Sequence, residues 1–311
     1  MPYSRERVLA LLGDFPARIE PNPEVIARRQ MDGYSLHTIS YNVEPDERLN
    51  AYLLTPDNLK GPAPAIVAIH QHAGQFYLGK SEPAGLSANA MHHYGKDLCL
   101  RGFVVICPDL LCFEDRRPPE FERAENTRLQ DAAYERVVAS DYLFRGSTLQ
   151  AKYLHDLACA IDVLCLQPTV DPERIGCIGH SLGGQEAMWL TWFDERIKAG
   201  VCSCGISMVQ AILRDRIGHN MAFYVPGLLK VCDLDELIAS IVPRAFMITA
   251  GTQDKIFPID AVRHIGGFAR KAYQAAGAPD AFACETFEGG HGFPDDMKSL
   301  AYPFLERHLK A

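Results

Sequence analysis

Short, unbroken apolar runs recur along the chain, spaced so that a helix fits between each and the next. Ala65-Ile66-Val67-Ala68-Ile69 is the first, after the stop Pro62-Ala63-Pro64. The signal returns at Phe103 to Cys107, Ile175 to Ile178, Ala199 to Cys204, Ala245 to Ala250 and, more weakly, Phe282 to Phe287. Runs of this kind predict strands covered on both faces. Between them the pattern predicts helices over Ala84 to Leu100, Leu149 to Leu166, Leu182 to Trp192, Ile259 to Ala276 and Asp295 to Leu309. Strands separated by helices join through right-handed crossovers, so the predicted fold class is α/β: a mostly parallel sheet with helices on both faces. Upstream, Tyr34 to Val43 and Leu49 to Leu54 alternate around the turn residues Glu44-Pro45-Asp46-Glu47, which predicts an antiparallel hairpin at the sheet edge.

Two stretches break the rhythm. Leu111 to Gly146 is rich in Arg, Glu and Pro, and Ile206 to Asp233 mixes apolar and basic residues. Each follows a predicted strand C-terminus, the edge where open α/β sheets bind ligands. We expect one domain over residues 1–311, with 111–146 and 206–233 as lid or cap insertions. The 311 residues are 48% hydrophobic and 23% charged, which excludes a disordered chain. A net charge of −8 without a Lys/Arg run argues against a nucleic-acid partner. The N-terminal apolar patch, Val8 to Leu12, is too short for a secretory signal, and no stretch reaches the ~18 apolar residues of a membrane span. A cytoplasmic protein with no membrane partner is expected, with a homo-oligomer left open. None of the ten cysteines forms a Cys-x-x-Cys pair; Cys107, Cys159, Cys165, Cys177, Cys202 and Cys204 read as buried reduced thiols.

The chemistry concentrates in Gly179-His180-Ser181-Leu182-Gly183, which sits between an apolar strand and an amphipathic helix. Small residues at both ends allow a bend sharp enough to present Ser181 as a nucleophile, with the N–H of Leu182 aimed at an oxyanion beside it. A serine hydroxyl needs a base and an orienting acid. Asp254 follows the strand ending in Ala250-Gly251, and His291 lies between glycines after the last strand, giving the order Ser181, Asp254, His291 with gaps of 73 and 37 residues. Asp233, Asp235 and Asp260 fall in a predicted helix or lid. His264 and His308 lie on helices, and His92-His93 is expected on a solvent-facing helix. The second oxyanion donor should come from the loop after the first buried strand, which makes it the backbone N–H of His72, with the His70 imidazole bracing that loop. A metal held by His70 and His72 is the alternative, but no carboxylate or cysteine cluster completes the set, so neither metal nor cofactor is expected. Candidate substrate contacts are His70, Gln71, Lys80, Glu82 and Arg116; for Lys80 and Glu82 a surface ion pair is the alternative. Arg116, Arg117, Arg123, Arg128, Arg136 and Arg145 alternate with acids, as on a solvated helix; any that turned inward would select an acidic substrate.

These residues resemble the α/β-hydrolase superfamily, and within it the dienelactone-hydrolase-like and acetyl-xylan-esterase-like branch, over about residues 35 to 309. Besides the elbow, the resemblance rests on His70-Gln71-His72, Gly79 to Gly85, Asp109 with Glu114-Asp115-Arg116, Asp171 to Gly176 and Asp194 to Ile197. It implies a serine esterase of small carboxylic esters with Ser181, Asp254 and His291 as triad. Dienelactone hydrolases proper use a cysteine nucleophile, so Ser181 favours ordinary esterase chemistry, short-acyl and acetyl-esterase-like. Dienelactone or thioester hydrolysis is the runner-up. A peptidase of the prolyl-oligopeptidase type would carry a large extra domain, yet only about 30 residues precede the first predicted strand. A non-catalytic binding protein would lack a triad member, and none is missing.

Overall fold

The computed structural model describes residues 3–118 and 130–310. Nine strands form a single sheet in the order β1-β2-β3-β5-β4-β6-β7-β8-β9. The edge is antiparallel: β1 (Glu24–Gln30), β2 (Tyr34–Glu44) and β3 (Glu47–Pro56). From β4 (Ala63–Ile69) and β5 (Val104–Pro108) onward the pairing is parallel, through β6 (Val170–His180), β7 (Ile197–Ser203), β8 (Ala245–Gly251) and β9 (Phe282–Phe287). The predicted buried strands and the hairpin are therefore all present. β1 escapes the hydrophobic pattern because all of its residues are exposed. With nothing to bury, it shows no period.

Helices cover both faces. The period-two alternation of β4 sends Ala65, Val67 and Ile69 to a core shared with α4 (Leu149–Cys165), α5 (Leu182–Phe193) and α8 (Ile259–Ala275). Ile66 and Ala68 go to a second core with α2 (Tyr94–Leu100) and α9 (Asp295–Leu309). The helix expected from Ala84 shrinks to a 3-10 turn, Ala90–His92, followed by α2. Gly85 stands at φ +80 with Lys96 packed where a side chain would be, and the Asn89 side chain caps the 3-10 turn at Met91, so helix cannot start earlier. A short α1 (Arg5–Leu12) precedes the sheet.

Both insertions contain helix. The first includes α3 (Asp131–Phe144); the second includes α6 (Val209–Arg214) and is followed by α7 (Leu234–Ala239), which Asp233 caps. Of the insertion arginines, Arg123 and Arg128 lie outside the described residues. Arg145 is exposed and pairs with Asp141 one turn away, as a solvated helix would have it. Arg116 departs from that pattern. Its side chain is buried and held between Glu47 and Asp156, with Nη1 2.7 Å from Asp156 Oδ2. Lys152 joins the same cluster through Asp156, Glu44 and Glu47. Burial alone would raise the Glu47 carboxyl, but Arg116 and Lys152 outweigh it and bring it down to about 2. A second buried cluster surrounds Lys80, whose Nζ lies 2.7 Å from Asp109, 2.8 Å from Glu114 and 2.8 Å from Asp115. Burial disfavours the ammonium, yet Asp109 and Glu114 more than offset it and hold Lys80 charged.

Removing one member of a buried ion cluster leaves its partners desolvated and unpaired, a cost of about 3–5 kcal/mol. Lys80→Met should therefore lower the unfolding free energy extrapolated from urea titration by that order, and Lys80→Arg by less; a value within error of the parent would contradict this account.

Candidate active site

The carboxyl ends of β4, β6, β8 and β9 bring the sequence candidates to one rim of the sheet. Ser181 connects β6 to α5 and adopts φ +57, ψ −120, a conformation an L-residue holds only under constraint. The constraint is backbone crowding. A Cβ on Gly179 would lie 2.2 Å from the Gly183 carbonyl, and one on Gly183 would lie 2.0 Å from the Ile69 carbonyl oxygen. The turn is pinned further by Ser181 N–H donating to Ser203 O (2.9 Å) and Gln185 N–H donating to Ser181 O (2.9 Å). The Ser181 hydroxyl does not cap α5, so the helix's first N–H groups, beginning with Leu182, stay directed at the space beside it.

His291 lies in the loop after β9 and is partly exposed. Its Nδ1 is 2.7 Å from Asp254 Oδ2. The other Asp254 oxygen accepts from the N–H of Ile256 (2.9 Å) and Phe257 (3.3 Å), which fixes the carboxylate. Two rings pack on the His291 imidazole: His180 at 4.8 Å and Phe257 at 5.7 Å between centroids. His180 is in turn stacked by His92 at 4.8 Å and bonded to Ser203 Oγ at 3.1 Å. His92 is thus buried rather than solvent-facing: the missing helical turns before α2 let Ala90–His92 fold in beneath the His291 loop, where Met91 Sδ accepts from Phe293 N–H. The motif contained His180 without any sign that it would pack on His291. Phe257 and His92 carried no sequence signal for that role at all.

Beyond β4 the loop is braced as expected. His70 is fully buried, with Nδ1 2.8 Å from Gln71 O and Nε2 accepting from Leu110 N–H at 3.1 Å. Burial holds this imidazole down to about 4. Glu82, also buried, takes hydrogen bonds from Gln71 Nε2 (2.8 Å) and Gln71 N–H (3.4 Å). His72 packs against Phe76 and Phe113, and its Nε2 sits 3.5 Å from Glu135 Oε2 on α3, so the first insertion rests on this loop. The second insertion reaches α5 through Asn220 Nδ2 donating to Gln185 Oε1 (3.1 Å).

Several tentative substrate contacts need correction. Lys80, Glu82, Arg116 and His70 are buried and bonded to protein partners, with Arg116 Nε alone of the guanidinium nitrogens left without one among the described residues; Gln71 spends its amide on Glu82. They shape the loop and anchor the insertion, and neither Lys80 nor Glu82 forms a surface pair. Arg116 is neutralised, so it gives no ground for an acidic substrate. His70 and His72 do not form a metal pair, because both His70 nitrogens are occupied and His72 Nδ1 accepts from Gly74 N–H. Donor atoms of Cys204, Asp254 and His291 lie within 4.8 Å of one another. The Cys204 thiol, however, donates to Gly292 O at 3.3 Å and is pushed up to about 11 by burial, which disfavours the thiolate a metal would need. In the acidic trio Asp109, Glu114 and Asp115, Lys80 is the cation.

The sheet order, the strained serine at a strand-to-helix corner and the histidine–carboxylate pair at the same rim define an α/β-hydrolase. The match is borne out at the family level: residues 49–303 fit the model of the dienelactone hydrolase family, and the chain belongs to that family of carboxylic ester hydrolases. It is 28% identical over 310 residues to the "Putative hydrolase YtaP" of Bacillus subtilis (strain 168), covering 98% of both chains. Among solved structures it is similar to a "putative acetyl xylan esterase" of Bacteroides fragilis NCTC 9343 (TM-score 0.73, 18% identity, 97% of this chain and 80% of that one). It is also similar to a glucuronoyl esterase from Solibacter usitatus (TM-score 0.70, 15% identity, 98% and 91%). No helix among the described residues is long and apolar enough to cross a membrane.

Two predictions follow from the packing of this rim. Gly183→Ala has no room for its methyl against the Ile69 carbonyl, so the variant should lose most ester hydrolysis together with thermal stability, read by turnover and Tm; parent-like values for both would refute the crowding argument. His70 and His92 are held down to about 4 and His180 is also held well below its ordinary value, in each case chiefly by burial. The unfolded chain therefore binds protons first, at about pH 6.5. Stability should be unaffected by these groups above that pH and fall progressively from there towards pH 4, seen as a declining urea midpoint that His92→Phe makes shallower.

Proposed function

We propose that the protein hydrolyses short-acyl esters through an acyl-enzyme, with Ser181 as nucleophile, His291 as base and Asp254 as orienting acid. The observation that carries the reading is the 2.7 Å bond between His291 Nδ1 and Asp254, beside an elbow that strains Ser181 to φ +57. Ser181 Oγ attacks the ester carbonyl while His291 Nε2 takes its proton, and Asp254 stabilises the resulting imidazolium. The N–H of Leu182 and the backbone N–H of His72 receive the oxyanion. The imidazolium returns its proton to the departing alkoxide, and a water deprotonated by His291 then releases the acid and frees Ser181. The described parts of the insertion 111–146, together with the insertion 206–233, act as caps over this rim, a reading supported by the contacts of Glu135 to His72 and of Asn220 to Gln185.

Crowding supports a small acyl group. His180 and Phe257 pack on the base, and His219 lies tilted against Phe257 at 4.8 Å and stacks on Phe223 at 4.6 Å. The acetyl xylan esterase name carried by a structural neighbour points the same way. Ser181→Ala should lower turnover of p-nitrophenyl acetate by about 10⁴-fold or more. A fluorophosphonate should label the parent once, at Ser181, and the acetate should be cleaved faster than the octanoate. Retained turnover in Ser181→Ala, or labelling elsewhere, would overturn the assignment; faster octanoate cleavage would overturn the acyl preference alone.

A further inference from the structure

At the opposite edge of the sheet, where β7 and β8 begin and α5 ends, a cleft of about 470 Å³ lies among Arg5, Lys198, Arg244, Trp192, Tyr3 and Ser240. Lys80, Arg116, Lys152 and Arg196 each touch at least one carboxylate, whereas Arg7, Lys96 and Arg117, partly buried at scattered places, have no ion pair among the described residues. Arg5, Lys198 and Arg244 have no ion pair among the described residues, although all three are partly buried and border one cleft. Glu195 is the acid at the rim, and it is exposed.

Each guanidinium is anchored by one nitrogen to uncharged carbonyls. Arg5 Nη2 donates to Phe193 O (2.7 Å) and Trp192 O (3.5 Å) and lies 4.9 Å from the Trp192 ring centroid. Arg244 Nη1 donates to Asp194 O (3.0 Å) and Ile197 O (3.1 Å). Lys198 Nζ donates to Glu195 O at 3.3 Å. These bonds fix the side chains without an ion pair; burial holds Arg244 below its ordinary value and Arg5 adds to this, with Glu195 offsetting it only in part. The neutral groups in the cleft are already used, because Trp192 Nε1 donates to Tyr3 OH, Tyr3 bonds Ser240 Oγ, and Ser240 donates to Leu237 O. The donors that remain are those of the two guanidinium forks and the ammonium, the set that matches the oxygens of a phosphate.

We propose that this cleft binds a phosphate monoester of a small organic molecule. The phosphate lies between Arg5, Arg244 and Lys198, and the cleft, far larger than a bare phosphate, takes the organic part. A phosphate suits the cleft better than a carboxylate because three cationic side chains from separate segments border it, enough for three terminal oxygens and a double negative charge. Spanning the seven residues of β7 at about 3.3 Å each puts the cleft roughly 20 Å from Ser181, so it is separate from the ester-cleaving rim.

Trp192 supplies the readout, since the chain has two tryptophans and the other, Trp189, packs against it at 5.6 Å. Titrating the full-length protein with AMP and with inorganic phosphate, at constant ionic strength set with NaCl, should change tryptophan fluorescence saturably and release or absorb heat in calorimetry. AMP should bind more tightly than phosphate, and both more tightly than succinate. Lys198→Glu and Arg5→Gln should each weaken AMP binding by about tenfold or more while p-nitrophenyl acetate turnover stays at the parent level. Lys198 is partly exposed, so its variant keeps the fold as checked by Tm. No saturable signal with AMP up to millimolar concentration, succinate binding as tightly as AMP, or parent-like binding by both variants would each overturn the proposal.

Discussion

The architecture of the reactive rim depends on one steric fact: three backbone segments meet at the elbow with no space for side chains between them. Gly179 touches Gly183 across the turn, and Gly183 touches the Ile69 carbonyl at the end of β4. Those contacts force Ser181 into positive φ and bring the start of α5 against the end of the neighbouring strand. The loop that begins at His70 is thereby adjacent to the serine. Neither the strain nor the convergence of N–H groups requires a separate device, because both come from how closely β4, β6 and α5 approach.

Close approach sets positions, and buried charge keeps them. The segment after β5 could leave the sheet along many paths, but Asp109, Glu114 and Asp115 gather around Lys80, and Arg116 bridges the β2–β3 turn to α4. A buried cation with two or three carboxylates tolerates few geometries, so these clusters specify where the first insertion begins even if they add little net stability over apolar packing. On the other side of the rim the restraint is uncharged. His180 and Phe257 pack on the His291 ring and His92 stacks on His180, and burial, which lowers the pKa of both His92 and His180, keeps fixed positive charge away from that ring.

The sequence made the buried strands, the crossover helices and the order of Ser181, Asp254 and His291 legible because each has a local signature: an apolar run, a 3.6-residue period, a glycine turn after a strand. What it hid has no local signature. β1 buries nothing and so carries no pattern. The fate of Arg116 and Lys80 was decided by Glu47, Asp156 and Asp109, partners remote in sequence or on other elements, and an arginine among acids reads the same whether it is solvated or sealed in a cluster. His92 belonged to a helical pattern that Gly85 and Asn89 interrupt, and its contact with His180 spans most of a crossover. In each case the local pattern was read correctly for polarity, and tertiary packing decided burial.

The polarity of α5 links the two ends of the molecule. Its N-terminus carries unpaired N–H groups beside Ser181, an environment that favours negative charge, and its C-terminus presents the carbonyls of Trp192 and Phe193, which draw the Arg5 guanidinium. Asp194 caps that end of α5, but its carboxylate is spent on Arg196 (2.6 Å), and Glu195 at the cleft rim is exposed, so the cations of the cleft have no ion pair among the described residues in a chain of net charge −8. Their cost is reduced by helix carbonyls without being cancelled. One helix therefore favours negative charge at its N-terminus beside Ser181 and draws cations to the carbonyls of its C-terminus, where the proposed anion would meet them.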